Sequence, residues 1–141
     1  MLYFDTSALL PYYRQEASSE AVQTLLACQQ RPVLISQLTE VEVASALARW
    51  VRTEELTEPQ ANRVESAFHE DASAGRFVVC PIESSHYQRA SHWLLARKTA
   101  LRTLDALHLA CAEAHQAVVI TQDEALMKAA LYYGLSAEQP G

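Results

Sequence analysis

Short runs of apolar residues alternate with longer amphipathic stretches along this chain of 141 residues. The apolar runs at residues 2–4, 33–35, 77–80 and 117–121 predict four short buried strands. They are continuously apolar, without the alternation of polar and apolar residues that a half-exposed strand shows. Such runs are typical of parallel strands that are covered on both faces. The pattern therefore predicts an α/β fold around a parallel sheet.

The amphipathic stretches between these strands predict seven helices. They cover residues 6–13, 18–30, 38–52, 57–74, 84–97, 103–115 and 124–133. Pro11 limits the regularity of the first helix, whereas Pro59 stands at a favourable first position of the fourth. Thr103 is suited to cap the sixth helix. Gly75 and Gly134 are expected to end two helices, and a short edge strand is expected after Gly134.

Four acidic residues lie within apolar stretches of different predicted elements. Asp5 follows the first strand directly, Asp123 follows the fourth strand, and Glu42 and Asp105 lie on helices among small residues. An ionised side chain in such surroundings is costly to bury unless something pairs with it. Because the working crevice of an open parallel sheet lies at the carboxyl ends of its strands, these acids can meet there. Clustered carboxylates suit a hard divalent cation such as Mg²⁺ or Mn²⁺.

Simpler roles are open for some of these acids. Asp5 and Asp123 each stand where a helix begins and are suited to cap it, alone or in addition to binding a cation. Glu40 competes with Glu42, although the two residues point to different faces of one helix. The Glu-Val-x-x-Ala-Leu pattern favours Glu42 as the acid that reaches the site.

The composition sets the broad class of protein. Half of the residues are hydrophobic and 20% are charged, as in an ordinary globular protein, and the length suits one domain covering residues 1–141. No apolar run approaches the roughly 18 residues of a membrane span. The N-terminus also lacks the basic region of a signal peptide, so a cytoplasmic protein is expected.

The charged residues and the cysteines exclude some classes of function. A net charge of −6 argues against broad, non-specific binding of nucleic acid, although Arg97, Lys98 and Arg102 can form a local basic patch. The chain has three cysteines, which are far apart and form no C-x-x-C pair. They are expected to fill apolar space, because a zinc knuckle or redox pair has closer spacing.

These motifs, in this order, resemble those of the PIN-domain ribonucleases, and most closely the VapC-type toxins of bacterial toxin–antitoxin pairs. The resemblance is carried by Asp5-Thr6-Ser7 after a strand and by three later segments. These are Glu42-Val43-Ala44-Ser45-Ala46-Leu47, Leu104-Asp105-Ala106-Leu107-His108-Leu109-Ala110 and Ile120-Thr121-Gln122-Asp123. It implies a three-layer α/β/α sandwich with a short-stranded central parallel sheet. It also implies an endoribonuclease that uses Mg²⁺ or Mn²⁺, forms a homodimer and is silenced by a small antitoxin.

The resemblance assigns a role to each candidate residue. Asp5, Glu42 and Asp105 become the central metal ligands, and Asp123 a fourth ligand that acts directly or through water. Thr6, Ser7 and Thr121 are expected to hydrogen-bond these carboxylates. His108, one helical turn after Asp105, is expected to support the site, because hard cations prefer oxygen ligands. Tyr132-Tyr133 and Tyr12-Tyr13 are the candidates for a dimer interface.

Other functions are also compatible with parts of the pattern. A stand-alone RNA-processing PIN nuclease would have the same acids but no antitoxin. A phosphatase with Asp5 as the nucleophile would have a second Asp two residues later, where this chain has Ser7. An inactive PIN scaffold that only binds would have lost one or more of the acids, and all of them are present here.

Overall fold

A single parallel sheet lies at the centre of the computed structural model, which describes residues 1–141. Its strands are β1 (Leu2–Phe4), β2 (Val33–Ser36), β3 (Phe77–Cys80), β4 (Val118–Ile120) and β5 (Ala137–Glu138). They lie in the order β3-β2-β1-β4-β5, and every neighbouring pair is parallel. The predicted parallel sheet is confirmed, and β5 is the expected edge strand.

Seven α-helices and one 3₁₀ turn connect the strands. They are α1 (Thr6–Leu9), α2 (Ser19–Ala27), α3 (Gln37–Arg52), α4 (Glu58–Ser73), α5 (Ser84–Ala96), α6 (Thr103–Ala114) and α7 (Glu124–Tyr132), with the 3₁₀ turn at Leu10–Tyr12. The helix predicted at residues 6–13 is therefore divided, because Pro11 has no N–H to continue the helical hydrogen bonds. The helix predicted from residue 18 to residue 30 already ends at Ala27.

The helix ends follow the sequence signals with one exception. Thr57 caps α4 by accepting a hydrogen bond from the Gln60 backbone N–H. Gly75 and Gly134 adopt positive φ angles of 79° and 76° just after α4 and α7, a conformation that costs glycine little. The prediction that Thr103 caps α6 is wrong. Thr103 is already helical, and the residue at the cap position makes no side-chain capping bond.

The two faces of the sheet bury two separate apolar clusters. Successive residues of a strand point to opposite faces, so Tyr3 packs into one cluster and Phe4 into the other. The cluster containing Tyr3 also takes in buried residues of α5, α6 and α7. The cluster containing Phe4 is closed by α1, α2, α3 and α4. Helices thus cover both faces, and the predicted three-layer α/β/α sandwich is confirmed.

The middle of the sheet positions the candidate site. Strand order runs outward from β1 through β2 and β3 on one side, and from β4 to β5 on the other. The backbone N–H of Asp5, just after β1, donates to the carbonyl of Ile120 at the end of β4, with an N–O distance of 3.2 Å. Ligand crevices of open α/β sheets form at this kind of switch point. None of the helices is both long and apolar enough to span a bilayer.

Candidate active site

Asp5 is buried at the carboxyl end of β1, with only 3% of its surface exposed. Its Oδ1 accepts hydrogen bonds from the Ser7 hydroxyl at 2.7 Å and from the Ala8 N–H at 3.0 Å. Its Oδ2 accepts a bond from the Thr121 hydroxyl at 2.5 Å. Burial raises the pKa of Asp5, although these hydrogen bonds oppose that rise. Asp5 therefore caps α1 and also presents a carboxylate held in one orientation.

Glu42 reaches the same edge from α3 and is held by two donors. Its Oε1 accepts the Thr6 hydroxyl at 2.7 Å and lies 2.5 Å from Nε2 of His108. Burial opposes ionisation of Glu42, but the hydrogen bonds and charge of His108 and the bond from Thr6 outweigh it, so its pKa is lowered. Glu40 is exposed and makes no side-chain hydrogen bond. Of these two acids, Glu42 is therefore the one that lies at this edge of the sheet.

His108 is part of a buried chain of hydrogen bonds behind Glu42. Its Nδ1 lies 2.6 Å from the Tyr3 hydroxyl, which donates to the Ser36 hydroxyl at 3.0 Å. His108 is 2% exposed, and its ring packs edge-on against that of Tyr3. Sequence reasoning missed Tyr3 and Ser36, because each looks like an ordinary residue of a buried strand. A tyrosine within an otherwise apolar strand was the available signal, because its hydroxyl needs a partner when buried.

Asp105 stands in the first turn of α6. It accepts no hydrogen bond and forms no ion pair, not even with Arg102 three residues earlier. Burial, followed by the negative charges of Asp123 and Asp5, raises its pKa to about 6. Glu42 adds to the same effect. This carboxyl therefore faces three others without a partner of its own.

Asp123 caps α7 by accepting a hydrogen bond from the Leu126 N–H at 2.9 Å. Its own N–H donates to Thr121 Oγ1 at 3.0 Å, the hydroxyl that also holds Asp5. The Ser7 hydroxyl ties this loop to α1, because it accepts a bond from the Gln122 N–H at 3.0 Å. Asp123 is thus both a cap and a neighbour of the other acids, as the sequence left open.

The structure brings together every residue that the sequence singled out for the site, but the acids do not touch. Only one set of three His, Cys, Asp or Glu side chains has ligand atoms all within 4.8 Å of one another, and it contains none of the four acids. Burial and the charges of Asp123, Asp5 and Glu42 nevertheless act together on Asp105, whose pKa they raise. Magnesium retains several of its waters when bound, so its protein ligands need not all meet at one point.

A large surface groove lies elsewhere. It has a volume of about 840 Å³ and contains none of the four acids. Tyr12 and Tyr13 line it and pack edge-on against each other, and the Tyr13 hydroxyl donates to Asp71 at 2.6 Å. Arg14, Arg63 and Arg76 also line it. This groove is a separate surface from the acidic site.

Comparisons with known proteins agree with this geometry. A family model described as PIN domain matches residues 2–131. Ribonuclease VapC45 from Mycobacterium tuberculosis (strain CDC 1551 / Oshkosh) is 36% identical over 113 residues, which are 79% of this chain and 74% of that protein. DNA-bound VapBC from Salmonella typhimurium has a TM-score of 0.75 at 16% identity, covering 99% of this chain and 98% of that one. A toxin–antitoxin complex from Klebsiella pneumoniae has a TM-score of 0.67 at 20% identity, covering 100% and 98%.

Proposed function

This chain belongs to the PIN-domain family, and from that premise we propose that it is a divalent-metal-dependent endoribonuclease, the toxin of a toxin–antitoxin pair. The observation that carries the proposal is the group of acids around Asp105, whose mutual repulsion calls for a cation. The relative VapC45 is named a ribonuclease, which supports RNA as the substrate. A phosphatase with Asp5 as the nucleophile is disfavoured, because Ser7 stands where such an enzyme would have its second Asp.

The donor set fits Mg²⁺ or Mn²⁺. All four candidate ligands offer carboxylate oxygens, which hard cations prefer over nitrogen or sulfur. Asp105 has no donor from the chain, and a cation would reverse the repulsion that raises its pKa. Asp5, Glu42 and Asp105 would hold the cation, and Asp123 would act directly or through water. When bound, such a cation supplies an activated water and stabilises charge on the phosphate.

The remaining side chains position these ligands and the RNA. Thr121 and Ser7 hold Asp5, while Thr6 and His108 hold Glu42. Hydrogen bonds of this kind orient ligating carboxylates and keep them in one rotamer.

A local basic patch offers contacts for the RNA. Arg97, Lys98 and Arg102 are exposed just before α6 and form no ion pair. They are therefore free to contact RNA phosphates beside the acids, in spite of the net negative charge of the chain.

We expect the purified chain to cleave RNA only when Mg²⁺ or Mn²⁺ is present. The measurement is cleavage of a labelled total-RNA or structured-RNA substrate with the cation, without it, and after addition of chelator. Restoring the cation in excess should restore cleavage, which separates metal removal from damage to the protein. Full activity in chelator would overturn the metal-dependent mechanism.

The partner proposal rests on the assemblies that share this fold. Similar structures include toxin–antitoxin complexes, and an unpaired group of carboxylates attracts cationic groups. An antitoxin segment that places an Arg or Lys among the acids would form charge-assisted hydrogen bonds there. Such a segment would exclude both the cation and the RNA. Homodimer formation is proposed alongside it, with Tyr132 as a candidate contact because it remains 60% exposed on α7.

We expect expression of this chain to inhibit growth, and co-expression of a small protein encoded beside it to relieve the inhibition. Co-purification of the two proteins, followed by cleavage assays on the complex and on the separated chain, tests this. Cleavage should be absent in the complex and return after the partner is removed. If nothing co-purifies, or if the complex cleaves RNA as fast as the free chain, a stand-alone RNA-processing nuclease replaces the toxin.

A further inference from the structure

A second group of metal-binding side chains lies outside the acidic site. Cys80 ends β3, Cys111 lies in the middle of α6, and His115 follows the last turn of α6. Their two sulfurs and a ring nitrogen lie within 4.8 Å of one another. β3 is two strands from β1 in the sheet, or about 10 Å away at the usual strand spacing. The group is therefore separate from Asp5 and its neighbours.

His115 is already held in one orientation. Its Nδ1 lies 2.9 Å from the carbonyl oxygen of Cys111, so Nδ1 carries the proton and donates it to that carbonyl. The lone pair then resides on Nε2. A histidine that binds a metal usually donates its other ring N–H to a carbonyl or carboxylate in this way. His115 is exposed, so its ring can adjust when a ligand arrives.

The two cysteines provide soft sulfur ligands in buried positions. Both are free thiols and both are buried, with exposures of 3% for Cys80 and 0% for Cys111. Burial raises the pKa of Cys111 to about 12, and the neighbouring Cys80 and Glu83 add to that rise. An anion is therefore disfavoured here until a cation arrives. The thiols would release their protons to solvent as the sulfurs bind, as metal-binding cysteines do.

We propose that Cys80, Cys111 and His115 form a binding site for Zn²⁺, with water as the fourth ligand. Two cysteines and one histidine suit the borderline-soft character of zinc, and an open fourth position is common in such sets. Zn–S and Zn–N bonds of about 2.3 and 2.0 Å place tetrahedral ligands about 3.5–3.8 Å apart. Because the ligand atoms already lie within 4.8 Å of one another, the side chains need to close by at most about 1 Å, which the exposed His115 and rotation of the thiols allow. Glu83 is not one of the residues whose ligand atoms cluster here, so the fourth position is left to water.

Bound zinc would join the end of β3 to α6. Cys111 lies one helical turn after His108 on α6, and Cys80 pairs in the sheet with Ser36. His108 and Ser36 are the two ends of the hydrogen-bonded chain through Tyr3. The ion would thus fix the helix that carries Asp105 and His108 against the strand next to Ser36. Zinc would stabilise the fold whether or not the chain cleaves RNA. The zinc-binding proposal and the nuclease proposal can therefore be tested separately.

The test is direct binding of Zn²⁺ and Co²⁺ to tag-free protein whose thiols are kept reduced. We expect one thiolate-bound ion per chain, shown by Co²⁺ spectra with the charge-transfer absorption that thiolate ligands give and by its displacement with one equivalent of Zn²⁺. This absorption cannot come from the carboxylates of the acidic site. At a hundredfold excess over its Kd, zinc should raise the Tm by about 5–10 °C. His115→Gln should weaken binding at least about tenfold, and because His115 is exposed this variant should fold normally.

Matched variants decide between this site and adventitious binding. Cys111→Ser should abolish the thiolate absorption, whereas Cys28→Ser removes an exposed cysteine and should leave it unchanged. His92→Gln, on the exposed face of α5, should likewise bind zinc as the unmodified chain does. The proposal is overturned if reduced protein gives no thiolate absorption, or if His115→Gln and His92→Gln bind zinc equally well.

Discussion

Asp5→Asn is expected to lose at least about 100-fold of the RNA-cleaving rate while remaining folded. Changes to groups that only orient a metal ligand typically cost about 10–100-fold, and Asp5 is itself a proposed ligand. Asparagine retains the shape and can still cap α1, because it is as good a cap as aspartate. It can also still accept the hydrogen bonds from Ser7 and Ala8, and its NH2 group can donate to the Thr121 hydroxyl, which donates to Asp5 in the unmodified chain. The loss therefore isolates the negative charge, and it is measured as the initial rate of cleavage at saturating Mg²⁺.

The matched control is Asp71→Asn, the same chemical change at the one aspartate outside the site. Asp71 lies in the separate groove, where it accepts the Tyr13 hydroxyl, a bond that an asparagine oxygen can also accept. This variant should cleave RNA at nearly the unmodified rate. The proposed role of Asp5 is refuted if both variants retain full activity, or if both lose it equally with intact circular dichroism spectra.

Asp105→Asn is expected to stabilise the metal-free protein at neutral pH while abolishing cleavage. The pKa of Asp105 is about 6 in the folded chain, against an ordinary value of 3.8, because its charge is partly buried and faces other acids. A shift of this size corresponds to about 3 kcal/mol. Asp105 is partly exposed, and solvent screening reduces the gain in free energy of unfolding to about 1–2 kcal/mol. At about 2–8 °C per kcal/mol, the Tm should rise by several degrees.

The raised pKa of Asp105 determines how the Tm difference between the variant and the unmodified chain changes with pH. Below about pH 4, Asp105 is protonated in both the folded and unfolded states, so the variant and the unmodified chain should melt alike. As the pH rises from about 4 to about 6, the unfolded chain ionises Asp105 while the folded protein still holds the proton, so the unmodified chain loses stability relative to the variant. The difference in Tm should therefore appear between pH 4 and 6 and persist above it.

Added Mg²⁺ should give the unmodified chain a higher Tm than Asp105→Asn, the reverse of the order without metal. Saturating Mg²⁺ stabilises only the chain that binds it, so the unmodified protein should gain Tm at neutral pH and Asp105→Asn should gain much less. Glu40→Gln is the control, because Glu40 is exposed on α3 and makes no side-chain hydrogen bond. It should melt like the unmodified chain at every pH. A stabilisation by Asp105→Asn that is equally large at pH 4 and pH 7 would show that repulsion among the acids is not its cause.

A stable site and a working site therefore make opposite demands on these residues. Without a cation, Asp105 is a source of strain, since burial and three neighbouring carboxylates oppose its charge. Glu42 does not share this strain, because His108 and Thr6 compensate for its burial. In this site, hydrogen bonds from the chain stabilise the negative charge of Glu42, whereas Asp105 has no such partner and is available to a metal.

Local patterns were sufficient to predict the elements and the acids. Continuous apolar runs identify buried parallel strands, because both faces of such a strand avoid water. Asp5 and Asp123 stand at strand-to-helix junctions, and that position alone predicts that they lie at the carboxyl edge of the sheet. Residues two apart on a helix point in different directions, so only one of Glu40 and Glu42 could face the site, and the Glu-Val-x-x-Ala-Leu pattern favoured Glu42. These features depend on neighbours in sequence, so they can be read without the fold.

Other features depend on side chains that are far apart in the chain, and only the tertiary structure decided them. Tyr3 forms hydrogen bonds with His108 and Ser36 because β1, β2 and α6 meet beneath the acids. The residues next to Tyr3 in sequence do not predict these partners. Cys80 and Cys111 looked like isolated apolar filler, yet packing of α6 against β3 places them beside His115. The raised pKa of Asp105 likewise arises from burial and from the charges of Asp123, Asp5 and Glu42, which are far from it in sequence. Sequence alone therefore determined which residues are acidic, buried or helical, whereas hydrogen bonding, repulsion and metal-ligand geometry depend on distances that only folding sets.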